Sequence, residues 1–297
     1  MEVKRTVDLL QRQSWLGPAG DYLKRFATAV YGGGGAGKRL LRNSLFGTWL
    51  GHPTHPMVVT VPAGAWVTSV LLDACDARSD AATADRYGKA ADATIMLGLG
   101  TALLAALSGL NDWRFTEERS KRIGALHGLT NVAAVTLMGI SSILRWRGAR
   151  SAGRIVSSGG LLLTAGAAYL GGDLVGHEKI GVNHSSTDGV PSTFTKVGAL
   201  DDLSEGALHG ATIGDTRIVL LRRGGRVYAL ADACSHLGGP LHEGELSDDC
   251  VTCPWHGSRF SMVDGRVVDG PASFPQPALE TRIEAGEVQV RLPANER

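Results

Sequence analysis

The sequence predicts a bundle of four membrane-spanning helices followed by a small all-β domain, and three observations lead to this fold class. Four segments contain no Asp, Glu, Lys or Arg: residues 51–72, 93–110, 123–144 and 155–172. The chain after residue 195 contains short β-branched runs separated by Gly-Gly, Asp-Gly and Ala-Gly turns. Charged residues make up only 20% of the chain, whereas soluble domains contain about 25%. A membrane-embedded part joined to a soluble part explains all three observations.

Each uncharged segment is long enough to cross a lipid bilayer, because a hydrocarbon core of about 30 Å needs about 20 helical residues. A soluble bundle of buried helices is the alternative. Such helices normally keep one polar face, whereas here the charged residues are confined to the connecting segments. We therefore expect a four-helix transmembrane domain over residues 51–178 in a multi-pass protein of the plasma membrane.

The amino-terminal part is basic and is expected to lie in the cytoplasm. Residues 1–51 carry eight Lys or Arg against three Asp or Glu, and positive charge next to a span favours the cytoplasmic side. We interpret residues 1–50 as a basic amphipathic arm with an interfacial helix at 21–31. An even number of spans returns the carboxyl terminus to the same side as this arm.

A linker and an acidic β domain follow the last span. Residues 179–195 are rich in Ser, Asp, Gly and Pro, which is typical of a linker. Residues 195–297 contain ten basic and fifteen acidic side chains, a balance that argues against nucleic acid as a partner. Apolar runs at 217–221, 227–231 and 287–292 predict strands, so we expect an antiparallel β domain over 196–297.

The most specific signal is a pair of loops that each contain one Cys and one His. These loops are Cys234-Ser235-His236 and Cys253-Pro254-Trp255-His256. Two irons bridged by sulfide are held in some proteins by two thiolates on one iron and two imidazoles on the other. Zinc is the alternative, because Cys250 and Cys253 have the C-x2-C spacing of structural zinc sites. We favour iron and sulfide, and we interpret Cys250 as a small buried apolar residue.

Residues 197–292, which contain these two loops, resemble the Rieske iron–sulfur family. The resemblance is carried by CSHLGGPL at 234–241, by CPWHGSRF at 253–260 and by Gly-Pro-Ala at 270–272. The third segment is similar to the proline-bearing loop that covers the cluster in this family. The resemblance implies a domain of antiparallel sheets in which two loops hold a [2Fe-2S] cluster.

Residue roles also follow from the resemblance. It implies that Cys234 and Cys253 hold the inner iron, and that His236 and His256 hold the outer iron near the surface. It further implies that three residues surround these ligands: Gly238, Ser258 and Pro271. Ser258 corresponds to the serine that donates a hydrogen bond to a bridging sulfide.

This chain departs from the Rieske proteins of respiratory complexes at three positions. Gly239 and Trp255 stand where those proteins have a pair of disulfide-forming cysteines, and Phe260 stands where they have a tyrosine hydroxyl near a ligand sulfur. Hydrogen bonds to sulfur stabilise the charge that a reduced cluster gains. We therefore expect a ferredoxin-like cluster of lower potential.

Five histidines lie near the ends of the spans on the side of the β domain: His52, His55, His127, His177 and His184. The motif His55-Pro56-Met57-Val58-Val59, within residues 51–176, resembles a family of bacterial four-span membrane domains of unknown function. Because polar groups at membrane depth often mark a site, we hypothesise that His55 and His127, with His177, bind haem or a quinone. The alternative is that these side chains lie in the polar interface and need no ligand.

Together these observations predict a membrane-anchored protein that transfers single electrons to or from a redox partner such as a reductase or an oxygenase, with quinone or haem in the membrane domain. Stand-alone catalysis is not indicated, because we recognise neither a two-His-one-carboxylate iron motif nor a nicotinamide-binding fingerprint. One alternative is a ferredoxin-type component of a separate oxygenase, with the membrane part only an anchor. A second alternative is a redox sensor or assembly subunit.

Overall fold

The structure is a computed structural model that describes Val7, Leu9 and residues 12–294. The chain forms two compact units. We call residues 1–33 with 54–180 the helical unit, and residues 34–53 with 181–297 the β unit. Residues 1–50, which the charge pattern predicts to be one arm, are thus divided between the two units near residue 33.

The described part of the chain contains seven α-helices. They are α1 (Leu16–Tyr31), α2 (Ala36–Phe46), α3 (Thr54–Val58), α4 (Thr60–Asp76), α5 (Ala81–Trp113), α6 (Glu118–Trp146) and α7 (Arg150–Gly176). Helix α2 belongs to the β unit and the others to the helical unit. Four stretches are long and apolar enough to cross a membrane: Thr54–Asp76, Thr83–Trp113, Glu118–Trp146 and Arg150–Gly176. The prediction of a four-span bundle is confirmed.

The bundle packs through small residues and presents apolar side chains outward. Trp66, Ile95 and Met138 form a buried cluster between the helices. A Cβ atom at Gly98 would overlap Nε1 of Trp66, so only glycine permits this approach of α4 to α5. On the outer surface Leu162 is 74% exposed, together with many other large apolar side chains. Apolar exposure on this scale is unfavourable in water but is expected of a surface that faces lipid.

The β unit contains two antiparallel sheets. The larger sheet has the strand order β1-β10-β9-β4-β3-β2, and the smaller has β5-β6-β7-β8. The larger sheet is formed by β1 (Thr195–Ala199), β2 (Leu208–Ile213), β3 (Thr216–Arg223), β4 (Arg226–Ala231), β9 (Ala278–Glu284) and β10 (Glu287–Arg291). The smaller is formed by β5 (Glu245–Ser247), β6 (Cys250–Thr252), β7 (Arg259–Ser261) and β8 (Val267–Asp269). The predicted antiparallel β domain is confirmed.

The central strand β3 explains how the β unit forms two cores. Successive side chains on a strand point to opposite faces. Ile218 and Leu220 join one buried cluster, and Val219 and Leu221 join the other. The second cluster includes Cys234 and Cys253, so the candidate cluster loops begin in the hydrophobic core.

Candidate cluster site and membrane histidines

Each of the two Cys-His loops begins with a backbone turn, and the two turns have the same hydrogen-bonding pattern. One loop follows β4 and the other connects β6 to β7. In the first, the Gly238 N–H donates to the Cys234 carbonyl at 2.8 Å, and the Cys234 N–H donates to the Gly239 carbonyl at 2.9 Å. In the second, the Gly257 N–H donates to the Cys253 carbonyl at 3.1 Å, and the Cys253 N–H donates to the Ser258 carbonyl at 2.8 Å.

A glycine four residues after each cysteine makes this turn possible. Gly238 has φ +80° and Gly257 has φ +78°, a left-handed conformation that side chains other than glycine rarely adopt. The two loops therefore present their cysteines in equivalent ways.

The loops bring the four candidate ligands together. The thiols of Cys234 and Cys253 are hydrogen-bonded to each other, and both residues are buried. The rings of His236 and His256 lie 5.1 Å apart and nearly perpendicular, and both residues are partly exposed. Two sulfur atoms on the inner side and two imidazoles toward the surface form the donor set of a mixed Cys-His iron–sulfur centre. The residues present fit a [2Fe-2S] cluster.

The protonation behaviour of these groups also suits metal binding. The hydrogen bond from Cys234 lowers the pKa of the Cys253 thiol to about 6. The same hydrogen bond, followed by burial, raises the pKa of Cys234. Burial, followed by the charges of His256 and His184, lowers the pKa of His236 to about 3. Near neutral pH the site therefore offers one thiolate, Cys253, and one neutral imidazole, His236, in the forms that bind metals, whereas the Cys234 thiol must release its proton when it becomes a ligand.

Gln276 holds the first loop in place, a role that no sequence motif predicted. Its side-chain oxygen accepts the Ser235 N–H at 3.0 Å, and its side-chain nitrogen donates to the carbonyls of Ala231 and Ala233 at 2.6 and 2.7 Å. The residue is only 1% exposed. A single glutamine outside any motif gives no sequence signal of such a role.

An acidic residue beside the first loop forms a second support. Asp232 is buried and accepts hydrogen bonds from the His242 backbone N–H at 2.8 Å and from its Nδ1 at 2.7 Å. Arg217 lies 3.0 Å from Nε2 of the same histidine. Because arginine only donates, His242 accepts through Nε2 and donates through Nδ1. The position of Asp232 two residues before Cys234 was the only available sequence signal.

The segment from 268 to 274, which we call the proline loop, is joined to both cluster loops. The Ala272 N–H donates to Oγ of Ser258 at 3.0 Å, and Oγ of Ser235 donates to the Phe274 carbonyl at 2.8 Å. Pro271 is buried. Hydrogen bonds therefore join the proline loop, which contains Pro271, to Ser258 in the second cluster loop and to Ser235 in the first.

The three positions at which the sequence departs from respiratory Rieske proteins are structurally distinct. A Cβ atom at Gly239 would lie 2.8 Å from Sγ of Cys253, so this position tolerates no side chain as the loop stands. Trp255 is 57% exposed beside His256. Phe260 is fully buried and carries no hydroxyl. Cys250, the alternative zinc ligand, is buried at the start of β6.

In the helical unit, His55 and His127 are neighbours. Their ring centroids lie 6.4 Å apart at an interplanar angle of 85°. Nδ1 of His55 lies 3.0 Å from the Ala105 carbonyl, and Nδ1 of His127 lies 2.8 Å from the Ala167 carbonyl. A carbonyl only accepts, so each ring carries its proton on Nδ1 and has a lone pair on Nε2. Asn131 donates to the Nε2 lone pair of His127 at 3.1 Å.

The other three histidines of that group have different surroundings. His177 follows the last residue of α7, its Nδ1 lies 2.7 Å from Oδ1 of Asp173 in that helix, and its side chain is 58% exposed. His52 and His184 belong to the β unit. His52 packs against Phe274, with ring centroids 5.8 Å apart, and the His184 N–H donates to the Ser235 carbonyl. A position near the end of a span in the sequence therefore did not determine where these side chains lie.

Comparisons with known proteins match both parts of the chain. The family model of the Rieske [2Fe-2S] domain matches residues 193–281, and the model described as a predicted membrane protein, DUF2231, matches residues 51–184. The chain is 32% identical over 98 residues to ferredoxin CarAc of Metapseudomonas resinovorans, covering 33% of this chain and 92% of that protein.

Other relatives are similar over the same region. The 3-phenylpropionate/cinnamic acid dioxygenase ferredoxin subunit of Escherichia coli K12 is 36% identical over 77 residues, which cover 26% of this chain and 73% of that protein. Human apoptosis-inducing factor 3 is 34% identical over 90 residues, 30% of this chain, but the match spans only 15% of that relative. Among solved structures, the ferredoxin of carbazole 1,9a-dioxygenase from Nocardioides aromaticivorans IC177 is 27% identical with a TM-score of 0.33, covering 34% of this chain and all of that one.

Proposed function

This chain belongs to the Rieske [2Fe-2S] family and carries a DUF2231 membrane domain, and from that premise we propose that it is a membrane-anchored one-electron carrier. The proposal is based on one observation: two buried cysteines and two partly exposed histidines lie close together in two equivalent turns. When bound, a [2Fe-2S] cluster with these ligands accepts and releases one electron. The proposed ligands are Cys234, Cys253, His236 and His256.

The surroundings of the four side chains suit electron exchange at the histidine edge. The cysteines are closed off from solvent by the core of the β unit, whereas the two imidazoles are partly exposed. The exposed indole of Trp255 lies beside His256 and provides an apolar surface for a docked protein. Related ferredoxins are named as components of dioxygenases, so an oxygenase or a reductase is the proposed protein partner.

A cofactor inventory of the detergent-purified full chain tests the cluster assignment. We expect iron, acid-labile sulfide and a reduced-state EPR signal, all lost in Cys253→Ser. Cys250→Ser is the matched control, because it removes a neighbouring buried thiol that is not a proposed ligand. A protein that contains zinc in place of iron, or a Cys253→Ser variant that keeps its iron and EPR signal, would contradict the assignment.

We further propose that His55 and His127 form the contact of the membrane domain with a quinol. A quinol hydroxyl is a donor, and Nε2 of His55 carries a lone pair that accepts its hydrogen bond. Oxidation of one quinol releases two protons and two electrons. Nε2 of His55 takes one proton, the other passes to solvent, and the two electrons reduce the clusters of two molecules of this chain, one electron each. Haem is the second candidate, because both histidines donate through Nδ1 to a carbonyl, as metal-bound histidines do. We place quinol first because Asn131 already occupies Nε2 of His127.

Two measurements on the purified full chain separate these candidates. A short-chain quinol should reduce the cluster in the parent protein and in His177→Ala, but much more slowly in His55→Ala. A Soret band that is lost in His55→Ala and His127→Ala would instead establish haem. A protein with neither property would leave the membrane domain as an anchor, as in a ferredoxin component of a separate oxygenase.

We also propose that the β unit lies in the cytoplasm, as the basic amino-terminal arm suggests. Cys75 makes this testable, because it is exposed at the end of the first span while the other three cysteines are buried. A membrane-impermeant maleimide should label Cys75 on intact cells, and Cys75→Ser should abolish the labelling. Labelling only after lysis would indicate the reverse orientation.

A further inference from the structure

Residues 34–53 precede the first span in the sequence but belong to the β unit, where they pack on the proline loop. The side chain of Asn43 in α2 makes the central contact. Its oxygen accepts the Gly270 N–H at 3.1 Å, and its nitrogen donates to Oδ1 of Asp269 at 3.0 Å. One side chain thus satisfies a backbone donor and a carboxylate of the loop at the same time.

A second contact is made by the last residue of α2. Phe46 is 1% exposed, and a Cβ atom at Gly270 would overlap its ring. Its backbone carbonyl accepts a hydrogen bond from Oγ of Ser273 at 2.8 Å. The aromatic ring therefore rests directly on the backbone of the loop, at a position that only glycine permits.

An ion pair and an aromatic contact also join residues 34–53 to the two ends of the proline loop. Asp269 lies 3.6 Å from Nε of Arg39 in α2 and 3.5 Å from Nη1 of Arg259, which follows the second cluster loop. At the other end, His52 packs against Phe274. The segment therefore contacts the proline loop from residue 269 to residue 274.

Hydrogen bonds connect the proline loop to the two loops that contain the proposed cluster ligands. Ala272 donates its N–H to Ser258, and Ser235 donates its hydroxyl to the Phe274 carbonyl. Ser258 lies in the second cluster loop and Ser235 in the first, between two of the proposed ligands. The position of the loop, and with it the orientation of the Ser258 hydroxyl, therefore depends on contacts made by α2.

We propose that Asn43 and Phe46 are positioning residues that hold the proline loop closed over the cluster, and that residues 34–53 are an integral part of the electron-transfer domain. The proposal rests on the cluster assignment made above, but not on quinol or haem in the membrane domain. It predicts that loss of either side chain changes the environment of the cluster without removing a ligand.

The test uses the detergent-purified full chain with Asn43→Ala and Phe46→Ala. We expect altered g values in the EPR spectrum of the reduced cluster and severalfold faster bleaching of the visible absorbance in air, because water reaches the site. Phe46→Leu, which refills most of the volume, should recover much of the parent behaviour. Leu40→Ala is the matched control, because Leu40 lies in the same helix and is 70% exposed.

A charge exchange keeps the proposal testable if the alanine variants do not fold. Asn43→Asp places two carboxylates side by side and should perturb the cluster strongly. The double variant Asn43→Asp with Asp269→Asn restores one donor and one acceptor across the contact, and should return the g values and the bleaching rate toward those of the parent.

Two results would overturn the proposal. One is parent-like g values and bleaching in both Asn43→Ala and Phe46→Ala. The other is a double variant that behaves no better than Asn43→Asp alone. Both readouts are independent of membrane electron exchange, so failure of quinol oxidation or absence of haem would leave them unchanged, whereas a parent protein without a cluster would refute the proposed function itself.

Discussion

Arg145 and Asp73 form a buried ion pair that joins two transmembrane helices. Nη1 of Arg145 donates to Oδ1 of Asp73 at 2.8 Å, Nη2 donates to the other carboxylate oxygen, and the side chains are only 2% and 7% exposed. The guanidinium also donates to the hydroxyls of Ser141 and Ser157, each at 3.0 Å. Charge buried at the end of a bundle is stable only when paired and hydrogen-bonded in this way.

Breaking this pair should destabilise the helical unit strongly. Without Asp73, the buried Arg145 keeps only one carboxylate partner among the described residues, Asp92, which lies 3.2 Å away and is 40% exposed. Breaking a buried pair by removing one partner costs up to about 3 to 5 kcal/mol. Asp73→Ala should therefore unfold at much lower denaturant concentration in detergent. Asp85→Ala is the control, because it removes an exposed ion pair with Lys89 that contributes about 0.5 kcal/mol or less. Equal effects of the two substitutions would contradict the assignment.

A small-residue contact inside the bundle gives a second prediction. Gly98→Ala should destabilise the helical unit by about 1 to 3 kcal/mol, because the added methyl group would overlap the Trp66 ring. Gly100→Ala, two residues further along the same helix, meets no atom within 4 Å. It should be neutral or slightly stabilising, because alanine favours helix. Thermal unfolding of the two variants in the same detergent compares them directly.

The hydrogen bonds of Gln276 predict a role in holding the first cluster loop. Gln276→Ala would remove the partner of the Ser235 N–H, of the buried Ala231 carbonyl and of the partly buried Ala233 carbonyl, at a cost of about 1 to 3 kcal/mol for each fully buried polar group. We expect a lower iron content and easier chemical unfolding of the β unit. Gln289→Ala removes only a contact with Arg282 at the surface and should retain its iron.

The hydroxyl of Ser258 predicts an effect on the reduction potential. If it donates to the cluster as the family resemblance implies, Ser258→Ala removes about 1 kcal/mol of stabilisation from the reduced state. For one electron this lowers the midpoint by about 40 mV. Ser261→Ala, in the neighbouring strand, is the control. A midpoint that stays unchanged or rises in Ser258→Ala during redox titration would argue against the donor role.

Much of this organisation was predictable because its causes are local in the sequence. Uncharged segments long enough to cross a bilayer predicted the four spans, since charge in hydrocarbon is costly at any position. The cluster loops were recognisable because each needs a cysteine, a nearby histidine and a glycine with positive φ within five residues, such as Cys234 and Gly238. The apolar run at 217–221 predicted the strand β3, although not that both of its faces are buried.

Other features depend on contacts between residues far apart in the chain. Gln276 contacts the first cluster loop across 41 residues, and Asn43 contacts the proline loop across 227. Each is a single polar side chain outside any sequence motif. Its role depends on distant backbone groups that lie beside it only in the folded structure. The division of the amino-terminal arm between two units has the same origin.

The sequence by itself determined that this protein has four spans, an antiparallel β domain and two Cys-His loops suited to a diiron cluster, because spacing and hydropathy act over a few residues. Only the tertiary structure decided that α2 packs on the proline loop and that His52 and His184 belong to the β unit. Those outcomes are set by which surfaces are buried together, and a linear pattern does not contain that information.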